Sequence, residues 1–144
     1  VFEQLAELEC SVVVRPVHPL AGRSEVAPRE VIDAPWALCD ATGGLREFEA
    51  LFYAWGQDLP GRLMEPTSIA LLMSAMLTRD LITILPTFLV QSDALKGRLV
   101  SLKLPKNPPP VRAGLLYRRE MARTAATQAL SEIFRAQAGQ LAVG

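Results

Sequence analysis

Ser11-Val12-Val13-Val14-Arg15-Pro16-Val17-His18-Pro19-Leu20-Ala21-Gly22 is an apolar run that breaks into a proline-bracketed turn carrying the only histidine of the chain. Its apolar part has high strand propensity. Pro16 cannot extend a ladder and stiffens the residue before it. The stretch therefore reads as a buried strand feeding a loop of fixed shape. On its amino side, residues 1–9 are acidic and begin in mid-pattern, with no capping residue before Phe2. They read either as a helical turn or as the tail of an element whose beginning is missing.

Downstream of the turn, Pro28 stands where a first helical turn accepts it, and Pro35 ends one or two turns of helix over residues 27–33. Residues 36–39 read as a short buried strand, which Thr42, Gly43 and Gly44 turn into the next helix. There Leu45, Phe48, Leu51, Phe52 and Trp55 fall on one stripe, and Gly56 closes the helix. Residues 62–65 read as a strand and Pro66-Thr67-Ser68 as a cap. Residues 69–77 form a helix apolar on nearly all sides, which should be largely covered. Residues 81–85 are another buried strand, and Pro86 begins a short helix that ends before Gly97. The alternation of strand and helix predicts a largely parallel sheet with helices on both faces. Residues 99–104 read as a further strand. Pro105 and Pro108-Pro109-Pro110 make a stiff connector. Residues 113–117 are a last strand, and a helix over 124–138 presents Ala126, Leu130, Ile133 and Phe134 as its apolar side.

The 144 residues are half apolar, enough for one compact domain or two small lobes. Fifteen basic and fifteen acidic residues leave no net charge, so the footprint of a dedicated nucleic-acid binder is missing. Cys10 and Cys39 are too isolated for a disulfide framework or a Cys-x-x-Cys metal site, and a reducing cytoplasm fits them. No apolar run reaches the roughly 18 residues of a membrane span, and residues 1–9 lack the features of a secretion signal.

Histidine-dependent acid–base or triad catalysis would have to use His18, but a histidine between Val17 and Pro19 is better suited to fixing a loop by hydrogen bonds. Nucleophile elbow, phosphate loop and dinucleotide fingerprint are all missing, and nothing offers three metal ligands at close spacing. No cofactor is expected. Ligand binding is supported by position, because in open α/β sheets the crevice lies past the carboxyl ends of the strands, where helices begin. Thr42-Gly43-Gly44 and Thr67-Ser68 stand at two such ends. The plain alternative is that Thr42, Thr67 and Ser68 only cap their helices. Cys10 and Cys39 could form a redox switch, though neither segment has the electropositive setting of a reactive thiol. Arg112, Arg118 and Arg119, with Arg123 nearby, are either an anion patch or a solvated strand edge.

Arg15-Pro16, a variable residue and His18-Pro19-Leu20-Ala21 after an apolar strand resemble the effector-binding domain of LysR-type transcriptional regulators. Pro35-Trp36, the amphipathic helix over 45–56, Thr67-Ser68, Thr83-Ile84-Leu85-Pro86, the strand at 97–104 and Gly114-Leu115-Leu116-Tyr117-Arg118-Arg119 follow in that family's order, over nearly the whole chain. The resemblance implies an α/β fold like that of type 2 periplasmic binding proteins, with two lobes of mixed, mostly parallel sheets flanked by helices and an effector held between them. Carried over, residues 1–14 end the first lobe and supply the first hinge strand. Residues 15–100 are a complete second lobe, 101–104 the second hinge strand, and 105–144 the closing strand and helix of a first lobe that is only partial. Val12, Val13, Ser101 and Leu102 are then hinge residues. Thr42, Gly43 and Gly44 contact the effector, with Thr67 and Ser68 as additional lining.

The implied function is a cytoplasmic ligand sensor for a small polar or carboxylate effector, such as a sugar acid. It acts as a homodimer or higher oligomer and touches DNA only through an amino-terminal domain absent here. No membrane partner and no catalysis are implied. A solute-binding module for transport is the alternative with the same architecture. The apolar stripes at 45–55 and 130–134 suit either pairing between copies or an internal core. Two departures stand out: Arg79-Asp80 where many members place glycine, and a cysteine spacing unlike that of the peroxide-sensing branch.

Overall fold

Five residues in a row, Cys10–Val14, are buried and form strand β2, which has a neighbour on each side. A computed structural model describes residues 1–39, 44–118 and 124–141 of the chain. They fall into two compact units, one built from 9–109 and the other from 1–8 with 110–144.

In the larger unit β2 pairs antiparallel with β5 (Thr83–Pro86), from Cys10 opposite Pro86 to Val13 opposite Thr83. On its other side it pairs antiparallel with β6 (Val100–Ser101). Two further strands, β3 (Trp36–Ala37) and β4 (Leu63–Met64), pair in parallel. A parallel bridge from Trp36 to Ile82 joins them to the start of β5. The order across the sheet is therefore β4-β3-β5-β2-β6. The sheet is mixed, as expected, but its parallel part is confined to β3, β4 and the start of β5. The alternation of strand and helix hid this because β2, first in the chain, enters the sheet centre against the direction of the rest.

Helices cover both faces. Val13 and Leu85 share a cluster with Ala37, Cys39, Leu72, Met76, Val90 and Leu99, to which α3 (Ile69–Thr78) and α4 (Thr87–Gln91) contribute. Trp36 points the other way, as alternation along a strand requires. Its ring centroid lies 4.9 Å from that of Phe48 and 5.6 Å from that of Phe52, both on α2 (Gly44–Trp55). Its indole N–H donates to the Val31 carbonyl of α1 (Pro28–Ile32) at 2.8 Å. Gly56, at φ 65°, ends α2 in the left-handed conformation that glycine adopts without cost.

One expectation about this unit fails. Helix α3 is not largely covered: it buries Leu72 and Met76, one stripe at i, i+4, while Ile69 and Leu71 are exposed. It lies on a single face of the sheet: Met73, Ala75 and Leu77 are only partly buried against the same cluster, and the opposite side of the helix stays open.

In the smaller unit residues 2–8 form a strand, which rules out the helical turn. Strand β1 (Phe2–Leu8) runs antiparallel to β7 (Val111–Leu116), and a bulge falls between Gln4 and Ala6. The bulge explains the ambiguity, because one extra residue breaks the period of two and leaves Phe2, Leu5 and Ala6 at the i, i+3, i+4 spacing of a helix. Helix α5 (Ala125–Leu141) packs on this ribbon. Its predicted apolar side faces away: Leu130, Ile133 and Phe134 are each more than half exposed, while Ser131 and Ala138 are buried. Arg135, one turn after Ser131, grips Glu3 of β1 with two bonds of 2.6 and 2.9 Å, and the Tyr117 hydroxyl donates to the same carboxylate at 3.2 Å. Small residues on this stripe let the helix come close to a ribbon too narrow to cover a wide apolar face.

Two substitutions test this packing. At Gly114 an added Cβ would lie 2.2 Å from the Glu3 carbonyl oxygen and 2.8 Å from the Phe2 ring. Gly114→Ala should cost roughly 1–3 kcal/mol and speed hydrogen exchange in β1 and β7, leaving β2 and β5 unchanged. The Thr83 hydroxyl is buried with no partner among the described residues. Thr83→Val keeps its shape and should raise stability by about 1 kcal/mol in urea unfolding; a loss would mean the hydroxyl is satisfied.

Candidate functional site

Because β3, β4 and β5 run parallel, all three deliver the chain to one edge of the sheet, and each is followed there by a helix. This is the edge where an open α/β sheet leaves a crevice and where helix N–H groups lack partners. Thr42 and Gly43, predicted to contact a ligand, lie outside the described residues, while Gly44 is the first residue of α2. At the start of α3, Thr67 and Ser68 are both exposed. Ser68 is the N-cap: its hydroxyl accepts the Leu71 N–H at 3.3 Å and its carbonyl accepts the Leu72 N–H at 3.0 Å. Capping is therefore real, and it leaves the hydroxyl hydrogen of Ser68 able to donate outward.

The helix expected at Pro86, not counted among the ligand-binding ends, is a third start at this edge. Helix α4 begins at Thr87, whose backbone N–H donates to the Glu9 carbonyl at 2.8 Å. Its hydroxyl lies 2.7 Å from that of Ser11 on β2. A serine inside an otherwise apolar strand was the available signal, since a polar group there needs a partner. The residues predicted as hinges are neighbours in one ladder. Val13 pairs with Ser101, and the Leu102 N–H donates to the Val12 carbonyl at 2.8 Å. The chain passes between the two units at 8–9 and 109–110.

His18 is 7% exposed and built into its loop. Its Nδ1 accepts the Leu20 N–H at 3.1 Å, its own N–H donates to the Arg15 carbonyl at 3.0 Å, and its carbonyl accepts the Ala21 N–H at 2.9 Å. Arg15 in turn holds Asp80 at 2.8 Å, which ties the turn to the segment before β5. Burial of the imidazole lowers the pKa of His18 below its ordinary 6.5, against an opposing pull from Asp80.

Both cysteines are buried and not joined by a disulfide. Arg112 and Arg118 are exposed, and Arg119 and Arg123 lie outside the described residues. Among the described residues no group of three or more His, Cys, Asp or Glu could hold a metal, and no helix is long and apolar enough to cross a membrane. Cavities of about 290 and 220 Å³ share Arg62 and lie near the amino-terminal ends of β3 and β4, away from the helix starts.

Residues 1–139 match the model of the LysR substrate binding domain. No curated protein sequence matches. Solved structures with the same fold include the regulatory domain of CcmR from Synechocystis in complex with 2-PG, at TM-score 0.72 and 19% identity over 96% of this chain and 66% of that one. HinK, a LysR family transcriptional regulator from Pseudomonas aeruginosa, aligns at TM-score 0.72 and 20% identity over 99% and 49%. The regulatory domain of MetR, a LysR family regulator from Neisseria meningitidis, aligns at 0.67 and 17% over 100% and 66%. The chain thus spans between about half and two thirds of the solved chains it matches.

The His18 loop generates a pH prediction. A histidine whose pKa is lowered on folding adds stability above its unfolded value, and that stability is lost as pH falls from about 6.5 through the lower folded value. The thermal midpoint should fall as pH drops below 6.5, and His18→Gln should flatten that slope.

Proposed function

The chain belongs to the LysR substrate binding domain family, and from that premise we propose that it is the ligand-sensing part of a LysR-type transcription factor acting in the cytoplasm. The observation that carries the reading is the shared edge at which three parallel strands open three helices. Gly44, Thr67 and Ser68 supply one wall of the effector site there, together with Thr42 and Gly43. Helix N–H groups and hydroxyls at such an edge suit a small carboxylate or a sugar acid. A small ligand is also in keeping with the Synechocystis regulatory domain, which is described in complex with 2-PG. Solute transport, the other reading of this architecture, is not proposed, because the matching family is that of the LysR regulators.

The hinge strands in this scheme are β2 and β6, through Val12, Val13, Ser101 and Leu102. The ribbon β1–β7 with α5 closes the first lobe, and Leu130, Ile133 and Phe134 of α5 face the remainder of that lobe, in the stretch of the relatives that this chain does not span. The domain works as a homodimer or higher oligomer and reaches DNA through an amino-terminal part outside this chain. Its mechanism is a population shift, which requires the effector to bind one arrangement of the lobes more tightly than the other.

The test is a thermal-shift screen of the full-length protein against small organic acids, sugars and amino acids, with the 144-residue chain beside it. An effector at a hundredfold excess over its Kd should stabilise the full-length protein by roughly 2.7 kcal/mol. Ser68→Ala should reduce that gain while leaving the unliganded midpoint within about 1 kcal/mol. If no compound in a broad library shifts either protein, small-molecule sensing is wrong and a protein partner takes its place.

A further inference from the structure

Helix α2 spends Phe48, Leu51 and Phe52 on the core and keeps a different face outward. On that outer face Tyr53 is 88% exposed, far more than an aromatic of its size needs to be for packing. It lines a groove of about 360 Å³ with Glu49, Phe52, Gln57, Asp58 and Leu59. Leu59 is 53% exposed, so the groove has an apolar floor and rim.

Its electrostatics have one sign. Glu49 stands one turn before Tyr53 on the same face, and Asp58 lies on the segment that follows the helix. Among the described residues neither carboxylate makes an ion pair, and Arg46, one turn before Glu49, is not engaged with it. The groove also sits at the carboxyl end of α2, where the helix dipole is negative and no basic residue occupies the last turn. Such a surface repels phosphate and carboxylate, which sets it apart from the effector edge and from any contact with DNA.

We propose that the groove at the end of α2 is a docking site for a partner protein that presents an arginine side chain. A guanidinium is planar, stacks on a tyrosine face and meets a carboxylate with two parallel hydrogen bonds. The ammonium of lysine is compact and more strongly hydrated, so it gains less from an aromatic wall. The aliphatic stem of the same arginine covers Leu59. Exposed tyrosine beside an apolar floor is also the composition of an interface centre.

The experiment titrates the ¹⁵N-labelled 144-residue chain with a tetra-arginine peptide amide and, separately, a tetra-lysine peptide amide at the same ionic strength. The expected result is saturable amide shifts confined to residues 49–59, with the arginine peptide binding about tenfold more tightly than the lysine peptide. Tyr53→Ala should weaken the arginine peptide about tenfold and leave the thermal midpoint unchanged; Asp58→Asn should weaken both peptides. Shifts scattered over the chain's carboxylates, equal binding of the two peptides, or an unchanged affinity in Tyr53→Ala would overturn the proposal. So would shifts of residues 49–59 that depend on protein concentration without peptide, because a second copy would then be the occupant.

Discussion

The constraint on which the larger unit rests is that β2 has no solvent. All five of its residues are buried, and its backbone is paired on both edges, with β5 on one side and β6 on the other. A strand in that position must be covered on both faces, since valines left open to water would forfeit the apolar burial that drives folding. Helices on both sides follow from this requirement. Trp36, Phe48 and Phe52 close one face with rings in edge and tilted contact, and the cluster around Leu72, Met76 and Val90 closes the other.

The polar groups trapped in this unit make sense against that background. Ser11 finds Thr87, the indole of Trp36 finds the Val31 carbonyl, and the imidazole of His18 finds the Leu20 amide. Each bond joins segments that the chain must hold together in any case: β2 to α4, β3 to α1, and the two ends of one turn. A buried donor or acceptor without a partner costs more than a made bond gains, so these pairs act chiefly as conditions on the fold. Three groups are exceptions among the described residues: Glu47 Oε2 and Trp55 Nε1 on α2, and the Thr83 hydroxyl, which sits opposite Val13 at the centre of the sheet.

What could be read from the sequence follows the same division. The buried strand at 12–14, the helix stripe through Phe48, Leu51 and Phe52, and the N-cap at Ser68 are local patterns, each decided within one or two turns of chain. The Arg15-Pro16 to Ala21 turn could be read as well, since prolines fix it and its hydrogen bonds stay within the loop. Strand β1 could not be read as a strand, because its partner is more than a hundred residues away and its bulge imitates helical spacing. The direction of β2 within the sheet is likewise set by pairing with β5 and β6, which no local window contains. At the candidate site the helix starts were visible as Gly44 and Ser68. The third start was visible at Pro86, but its ties to Glu9 and Ser11 were not, because they come from a distant strand.

The two units differ in what holds them. The larger one is closed by apolar layers on both faces of a five-strand order. The smaller one is a two-stranded ribbon with a single helix, and a ribbon of that width cannot bury enough apolar area to stand alone. Its helix is tied down by an exposed ion pair between Glu3 and Arg135, which water and salt screen, while its largest apolar side chains point outward. A ligand changes a protein only through unequal affinity for two states, and it can impose that preference only from a surface that does not yield locally. Of the two units, the one with the doubly covered sheet offers such a surface, at the edge where Gly44 and Ser68 open helices anchored by Phe48 and Leu72. A ligand at the proposed site would work against a wall whose rigidity comes from the same buried strand that organises the rest of the unit.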